Sequence, residues 1–243
     1  MNKQILTILL WLVGMAQSQA VVPASQVDFL KAVGAGRVAE VREMLSRDSR
    51  LANATAPGGT SVLLYAAYHR QPEIAAILLP YRKSDLTAFE SAAVGDAERM
   101  RSLLRADPKL INSLSTDGFT PLHLASFFGE TATQEVLIRA GASLETHSKN
   151  QLDATPLQSA VAAHQTKSVA VLLAHHANPN CRGGLGYTPL FEAAESGQVE
   201  VLIMLLKHGA DRSIRGTDGK TALDVAITAH QTKAQEILSK GRV

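Results

Sequence analysis

Apolar residues recur along most of the chain at helical rather than strand spacing. Ile74, Ile77 and Leu78 fall on one side of a helix, as do Val201, Leu205 and Leu206, and Val136 with Leu137 marks a third such stretch. Blocks of small residues, among them Ala66-Ala67, Ala92-Ala93 and Ala193-Ala194, mark a preceding short helix that lets its neighbours approach closely. Gly36, Gly95, Gly129 and Gly197 stand between the two kinds of helix, where a left-handed cap ends the first. His164 and His230 stand at the same point of other copies, inside identical His-Gln-Thr-Lys stretches. Gly141-Ala142 and Gly209-Ala210 end second helices, and His176-Ala177 takes that place once. Histidine tolerates the left-handed region better than most residues, so these exchanges preserve the turn. The pairs Gly58-Gly59, Asp117-Gly118, Gly183-Gly184 and Asp218-Gly219 predict tight hairpins between helix pairs.

The start of the chain breaks this pattern. Lys3 is the only charge in the first twenty residues, an apolar run follows from Ile5 to Met15, and small residues stand at Ser18 and Ala20. Charge, apolar run and small residues in that order predict a secretory signal peptide over 1–20, cleaved after Ala20. The run is shorter than the roughly 20 residues a bilayer span needs. Other readings of it are an N-terminal anchor or a buried helix. No later stretch has the length and apolarity of a span.

The helix pairs carry a recurring motif. Gly118-Phe119-Thr120-Pro121-Leu122-His123-Leu124-Ala125 returns as Ala154-Thr155-Pro156-Leu157-Gln158-Ser159-Ala160. It returns again from Gly186 to Ala193 and from Gly219 to Ala226, and more loosely from Gly59 to Ala66. Two further copies, Ala32 to Leu45 and Ser91 to Leu104, keep only the helices. Anchors at Ala32, Ala66, Ser91, Ala125, Ala160, Ala193 and Ala226 are spaced by 34, 25, 34, 35, 33 and 33 residues. Threonine and proline suit a helix start, because the proline lacks an N–H that would be unpaired there anyway.

A period near 33 with a Thr-Pro-Leu-His-x-Ala core resembles the ankyrin repeat. The resemblance runs over roughly residues 25–240 and implies an all-α solenoid of about seven helix-turn-helix units with β-hairpin fingers. The units fall near 25–56, 57–86, 87–116, 117–149, 150–183, 184–216 and 217–240, within a domain 21–243. No unit can bury its apolar face alone; stacking buries it as one continuous core. The short spacing from Ala66 to Ser91 means that a finger is missing, with helix leading to helix through Pro80 to Leu86. The fourth finger, Lys149 to Asp153, is longer than the rest.

Composition narrows the chemistry. Hydrophobic residues make up 46% and charged residues 19%, enough apolar material for a sizeable core. Formal net charge is +2, or +1 without Lys3, and no basic stripe for nucleic acid is visible. Cys181 is the only cysteine, so no intramolecular disulfide forms; it reads as a loop residue, with partner pairing or oxidation as alternatives. Gly219-Lys220-Thr221 lacks the first glycine of a phosphate loop, since position 214 is Ile214. Gly34 to Ala39 imitates a dinucleotide fingerprint but follows a helical stretch. His164, His175, His176 and Cys181 lack paired metal-ligand spacing. Neither Gly-x-Ser-x-Gly nor His-Glu-x-x-His occurs. No catalytic, cofactor or metal site is expected.

In ankyrin arrays the fingers and the residues after the double alanine line a concave face. The resemblance places Tyr68, His69, Phe127, Phe128 and Glu195 there, with Phe119 and Tyr187 added from the fingers. Five of the ten Phe and Tyr residues fall on this face, and aromatic side chains are typical interface anchors. The alternative is that they pack against adjacent fingers. The resemblance implies a non-catalytic module that binds a protein partner, monomeric and periplasmic or secreted. The resemblance to exported bacterial ankyrin proteins implies help to other envelope proteins or to enzymes meeting oxidative stress, or toxin neutralisation; a secreted effector and a hydrolase are the other readings.

Overall fold

The computed structural model describes residues 24–82, 84–184 and 186–240. The signal segment expected over 1–20 lies outside them. Among the described residues there are seven helix pairs. They are α1 (Ala24–Gly34) with α2 (Val38–Arg47), α3 (Val62–Tyr68) with α4 (Pro72–Arg82), and α5 (Ala88–Val94) with α6 (Ala97–Ala106). Then come α7 (Pro121–Phe128) with α8 (Thr131–Arg139), and α9 (Pro156–Ala162) with α10 (Thr166–Ala174). The last are α11 (Pro189–Glu195) with α12 (Val199–Lys207), and α13 (Ala222–Thr228) with α14 (Thr232–Ser239). First helices pack on first helices and second on second, giving an inner and an outer layer.

The recurring threonine starts the inner helices by a reciprocal cap. The hydroxyls of Thr87, Thr120, Thr155 and Thr221 each accept an N–H three residues on. Glu90, His123, Gln158 and Asp224 return a bond to the cap's own N–H, so two otherwise unpaired donors are satisfied per helix. Ser61 makes half of this cap for α3, accepting from Leu64 with no bond returned, and Thr188 opens α11 without a side-chain bond. Aligned on these caps, Ala92 rather than Ser91 matches Ala66 and Ala125, and the intervals become 26, 33, 35, 33 and 33. The first helix of the third unit is one residue shorter before its glycine than that of the fourth, which explains the misplaced anchor.

The turns between paired helices are left-handed, as the glycine and histidine pattern predicts. Gly129 has φ 83°, and His164 and His230 adopt 61° and 57° in its place. A glutamine from the next unit lies over such a turn. Gln165 covers Gly129 so closely that a Cβ there would meet its Oε1 at 2.5 Å. Gln198 donates to the Val161 carbonyl at 3.0 Å and Gln231 to that of Glu195 at 3.2 Å, so one turn is tied to the next.

The fingers are hydrogen-bonded loops rather than β-hairpins. Among the described residues the one β-bridge pairs Thr55 with Ser61. Ser115 donates to the Phe119 carbonyl at 2.9 Å, and Gly216 to that of Lys220 at 2.9 Å, each closing over four residues. The fourth finger closes from Ser148 to Ala154 at 2.8 Å, over six, so it is the longer one. At Gly183-Gly184 the positive φ falls instead on Gly186, 69°.

The finger missing between the second and third units is absent as the spacing predicts, but Pro80 belongs to α4, which continues to Arg82. The apolar core divides at this junction. Phe29, Val41, Leu45, Leu63, Ile74, Leu78 and Leu86 form one cluster, and the second extends from Leu64 and Tyr68 to Leu238. An ion pair spans the division: Arg82 Nη2 lies 3.0 Å from Glu90 Oε2, with Glu90 1% exposed. Arg82 also donates to Asn53 Oδ1 at 2.9 Å, and the same Glu90 oxygen accepts the Thr87 N–H at 2.9 Å. One carboxylate therefore caps α5 and holds α4 against it.

Candidate partner-binding face

The inner helices and fingers place the seven candidate residues in two environments. Tyr68, at the end of α3, is buried at 6% exposure. Its hydroxyl donates to Asp117 Oδ2 at 2.6 Å, and Asp117 belongs to the finger two units on. Its ring meets Phe128 at 5.4 Å and Phe127 at 6.2 Å. Because the third unit has no finger, Tyr68 fills the gap and reaches the next finger directly. Phe119 is also buried, in that same finger, with its ring 5.8 Å from His123. These two do not line an exposed face. Sequence position alone placed them there because it does not show what covers a side chain.

Tyr187 repeats the arrangement nearer the C-terminus. Its hydroxyl donates to Asp218 Oδ2 at 2.9 Å, and its ring stacks on Phe191 at 4.9 Å with an 11° tilt. Both tyrosines thus hold the aspartate of an Asp-Gly finger, Tyr68 buried and Tyr187 half-buried. His69, Phe127, Phe128 and Glu195 are half-buried and present part of their surface at the ends of the inner helices. Phe127 and Phe128 meet edge to face at 5.1 Å, and His69 packs on Tyr65 at 4.3 Å.

Ionisable groups under this face serve the stack. His123 Nδ1 accepts the Thr120 N–H at 3.2 Å, and its Nε2 bonds the Ala154 carbonyl at 2.8 Å, tying one unit to the next. Burial pushes the imidazole down to about 4, so it is neutral at pH 7. Burial pushes the Cys181 thiol up to about 12, and Thr155 Oγ1 lies 3.1 Å from its Sγ. The thiol is therefore enclosed rather than a surface loop group. Among the described residues no group of three or more His, Cys, Asp or Glu is placed to hold a metal ion.

Glu192 is a site the motif search passed over, although it stands where other copies have Leu124 or Ser159. Its carboxyl is 8% exposed, accepts one bond from Gln158 Nε2 at 3.4 Å, and leaves Oε2 without a partner. Burial raises its pKa to about 8, with Glu195 adding to the rise and Gln158 opposing it. An acid raised in the fold stabilises it fully below the unfolded value of 4.5, and that contribution is lost as pH rises toward 8. His123 works oppositely, losing stability as pH falls below 6.5 toward 4. The clean window is therefore pH 6.5 to 8. There the wild-type unfolding free energy from urea titration should fall with pH, by up to about 1.4 kcal/mol per pH unit, while that of Glu192→Gln stays flat. Parallel curves for the two proteins would refute this assignment.

Comparison with known proteins fits this geometry. A family model described as ankyrin repeats (3 copies) matches residues 88–183, and one described as ankyrin repeats (many copies) matches residues 172–226. The chain belongs to the ankyrin-repeat family. The array is 32% identical over 120 residues to the serine/threonine-protein kinase VIK of Arabidopsis thaliana, covering 49% of this chain and 26% of the kinase. It is 35% identical over 81 residues to the DNA-binding protein RFXANK of Homo sapiens, covering 33% of this chain and 31% of that protein. The ankyrin array thus matches less than a third of either relative's length. Ankyrin repeats are in general non-catalytic interaction modules with protein partners. Among the described residues no helix is long and apolar enough to cross a membrane.

Proposed function

We propose that this ankyrin array is a monomeric, non-catalytic scaffold of the bacterial envelope that holds a protein partner on its concave face. The export part of the proposal rests on the order of charge, apolar run and small residues over 1–20. The binding part rests on one observation: Phe127 and Phe128 at the end of α7, and His69 at the end of α3, pack partly on the core yet keep some of their surface open. Partly exposed aromatic pairs beside polar groups have the composition of interface anchors. Glu195 extends the face toward the C-terminus. Tyr68 and Phe119 support it from beneath, and Tyr187 steadies the finger beside it.

The test is affinity capture from an envelope extract with the chain lacking residues 1–20, repeated with Phe127→Ala and His69→Ala together. Circular dichroism checks that the double variant keeps its helices. Recovery of the bound protein should drop at least about tenfold, since hot-spot aromatics contribute about 2 kcal/mol or more. The same proteins recovered in equal amounts from both columns would refute the assignment. Fractionation of cells expressing the full chain tests export, and a product retaining residues 1–20 in the cytoplasm would refute it.

A further inference from the structure

We propose that a groove on the outer helix layer, between α6 and α8, binds an acidic peptide segment carrying an apolar side chain. This site lies on the layer opposite the inner-helix face and does not depend on it. The groove encloses about 460 Å³. Its floor is apolar, from Leu104 and Val136, and its walls carry Arg101, Arg105 and Arg139 against one acid, Glu135. Leu104 is buried as part of the core, so the floor is rigid rather than a loose surface patch.

The acid in the groove is already engaged. Glu135 lies 3.0 Å from Arg139 Nη2 and 3.1 Å from His175 Nε2, and the His175 bond holds its carboxyl below the usual range. Arg139 remains 77% exposed in that pair. Arg101 pairs with Glu98 on its own helix while 49% exposed, and exposed pairs of this kind contribute little. They exchange readily for a ligand carboxylate. Arg105 has no ion-pair partner among the described residues. Arg101 and Arg105 are one helical turn apart, roughly 6 Å between Cβ atoms. That spacing suits two carboxylates on successive same-side residues of a peptide, with an apolar side chain reaching the floor. Arginine favours such planar, paired recognition of carboxylates. A single-stranded nucleic acid fits less well, because the groove lining has no aromatic ring on which a base could stack.

Fluorescence anisotropy with a labelled peptide of repeated Leu-Glu-Glu units, at low salt, reads the site in the whole chain. The wild-type protein should bind it, and Arg105→Glu or Arg139→Glu should each weaken binding about tenfold. Arg42→Glu, in the first unit, should leave it unchanged. A peptide of repeated Ser-Glu-Glu units should bind less well than the leucine peptide, since it cannot use the apolar floor. No peptide binding by the wild-type protein would overturn the proposal. So would equal weakening by Arg42→Glu, which reports diffuse attraction, or equal binding of a labelled oligothymidylate. Unchanged thermal melting of the exposed-arginine variants confirms that any loss is one of binding.

Discussion

Arg82→Met should destabilise the chain by about 3–5 kcal/mol, because it leaves a buried carboxylate without its counter-ion. Glu90 is 1% exposed and Arg82 12%, so water compensates neither. The variant also loses the bond to Asn53. The ion pair stands where the core divides, which gives the substitution a second signature. The N-terminal apolar cluster meets the second one there, with Leu64 and Tyr68 of α3 already packed into the second, and stability in a repeat array is a sum of unit and nearest-neighbour terms. Weakening that one interface should split a single urea transition into two, the N-terminal pair of units unfolding first. The double variant Arg82→Met with Glu90→Gln should recover much of the loss, because neither charge is then stranded. A single transition with a loss below about 1 kcal/mol, the range of an exposed pair, would show that the junction is held by packing alone.

Tyr68→Ala should lower stability by about 3–5 kcal/mol, the range for truncating a large buried aromatic. Tyr68→Phe should lower it by about 1–3 kcal/mol, because it keeps the ring but removes a bond to a buried carboxylate. Asp117 is 7% exposed and would keep only Ser115 as a side-chain partner. Both effects should appear without any partner protein, in denaturation of the isolated chain. If either variant melts like the wild type yet fails to capture a partner, Tyr68 belongs to the binding face and the burial argument is wrong. The contrast with the His69 and Phe127 pair separates support of the face from contact with the partner.

The fold was legible because each unit repeats its own instructions locally. Thr120 to Ala125 and its copies specify cap, helix and small-residue contact within a few residues, and a glycine or histidine marks the turn. The missing finger was legible as a short interval, and the long one as extra residues. The environment of single side chains was less legible. Tyr68 follows the double alanine, which places it on the inner side, but what covers it is a finger 49 residues away. Aromatic count and position therefore could not separate a contact residue from a plug. Glu192 left a signal that motif matching discards: a carboxylate in a column whose other members, Tyr65, Ser91, Leu124, Ser159 and Val225, carry no charge. Arg82 and Glu90 carried little signal, since a capping glutamate is ordinary and its partner sits at the end of the preceding helix.

Repeat proteins change length by gaining or losing whole units, which is possible when every unit touches only its neighbours. Tyr68 breaks that rule at one place, since its hydroxyl passes over the third unit to the finger of the fourth. Excising that unit, or copying it, would strand Asp117 and open the space that the tyrosine ring fills. The second to fourth units are therefore coupled as one structural block. Designs that lengthen or shorten this protein should cut elsewhere, between the units whose fingers follow the regular spacing.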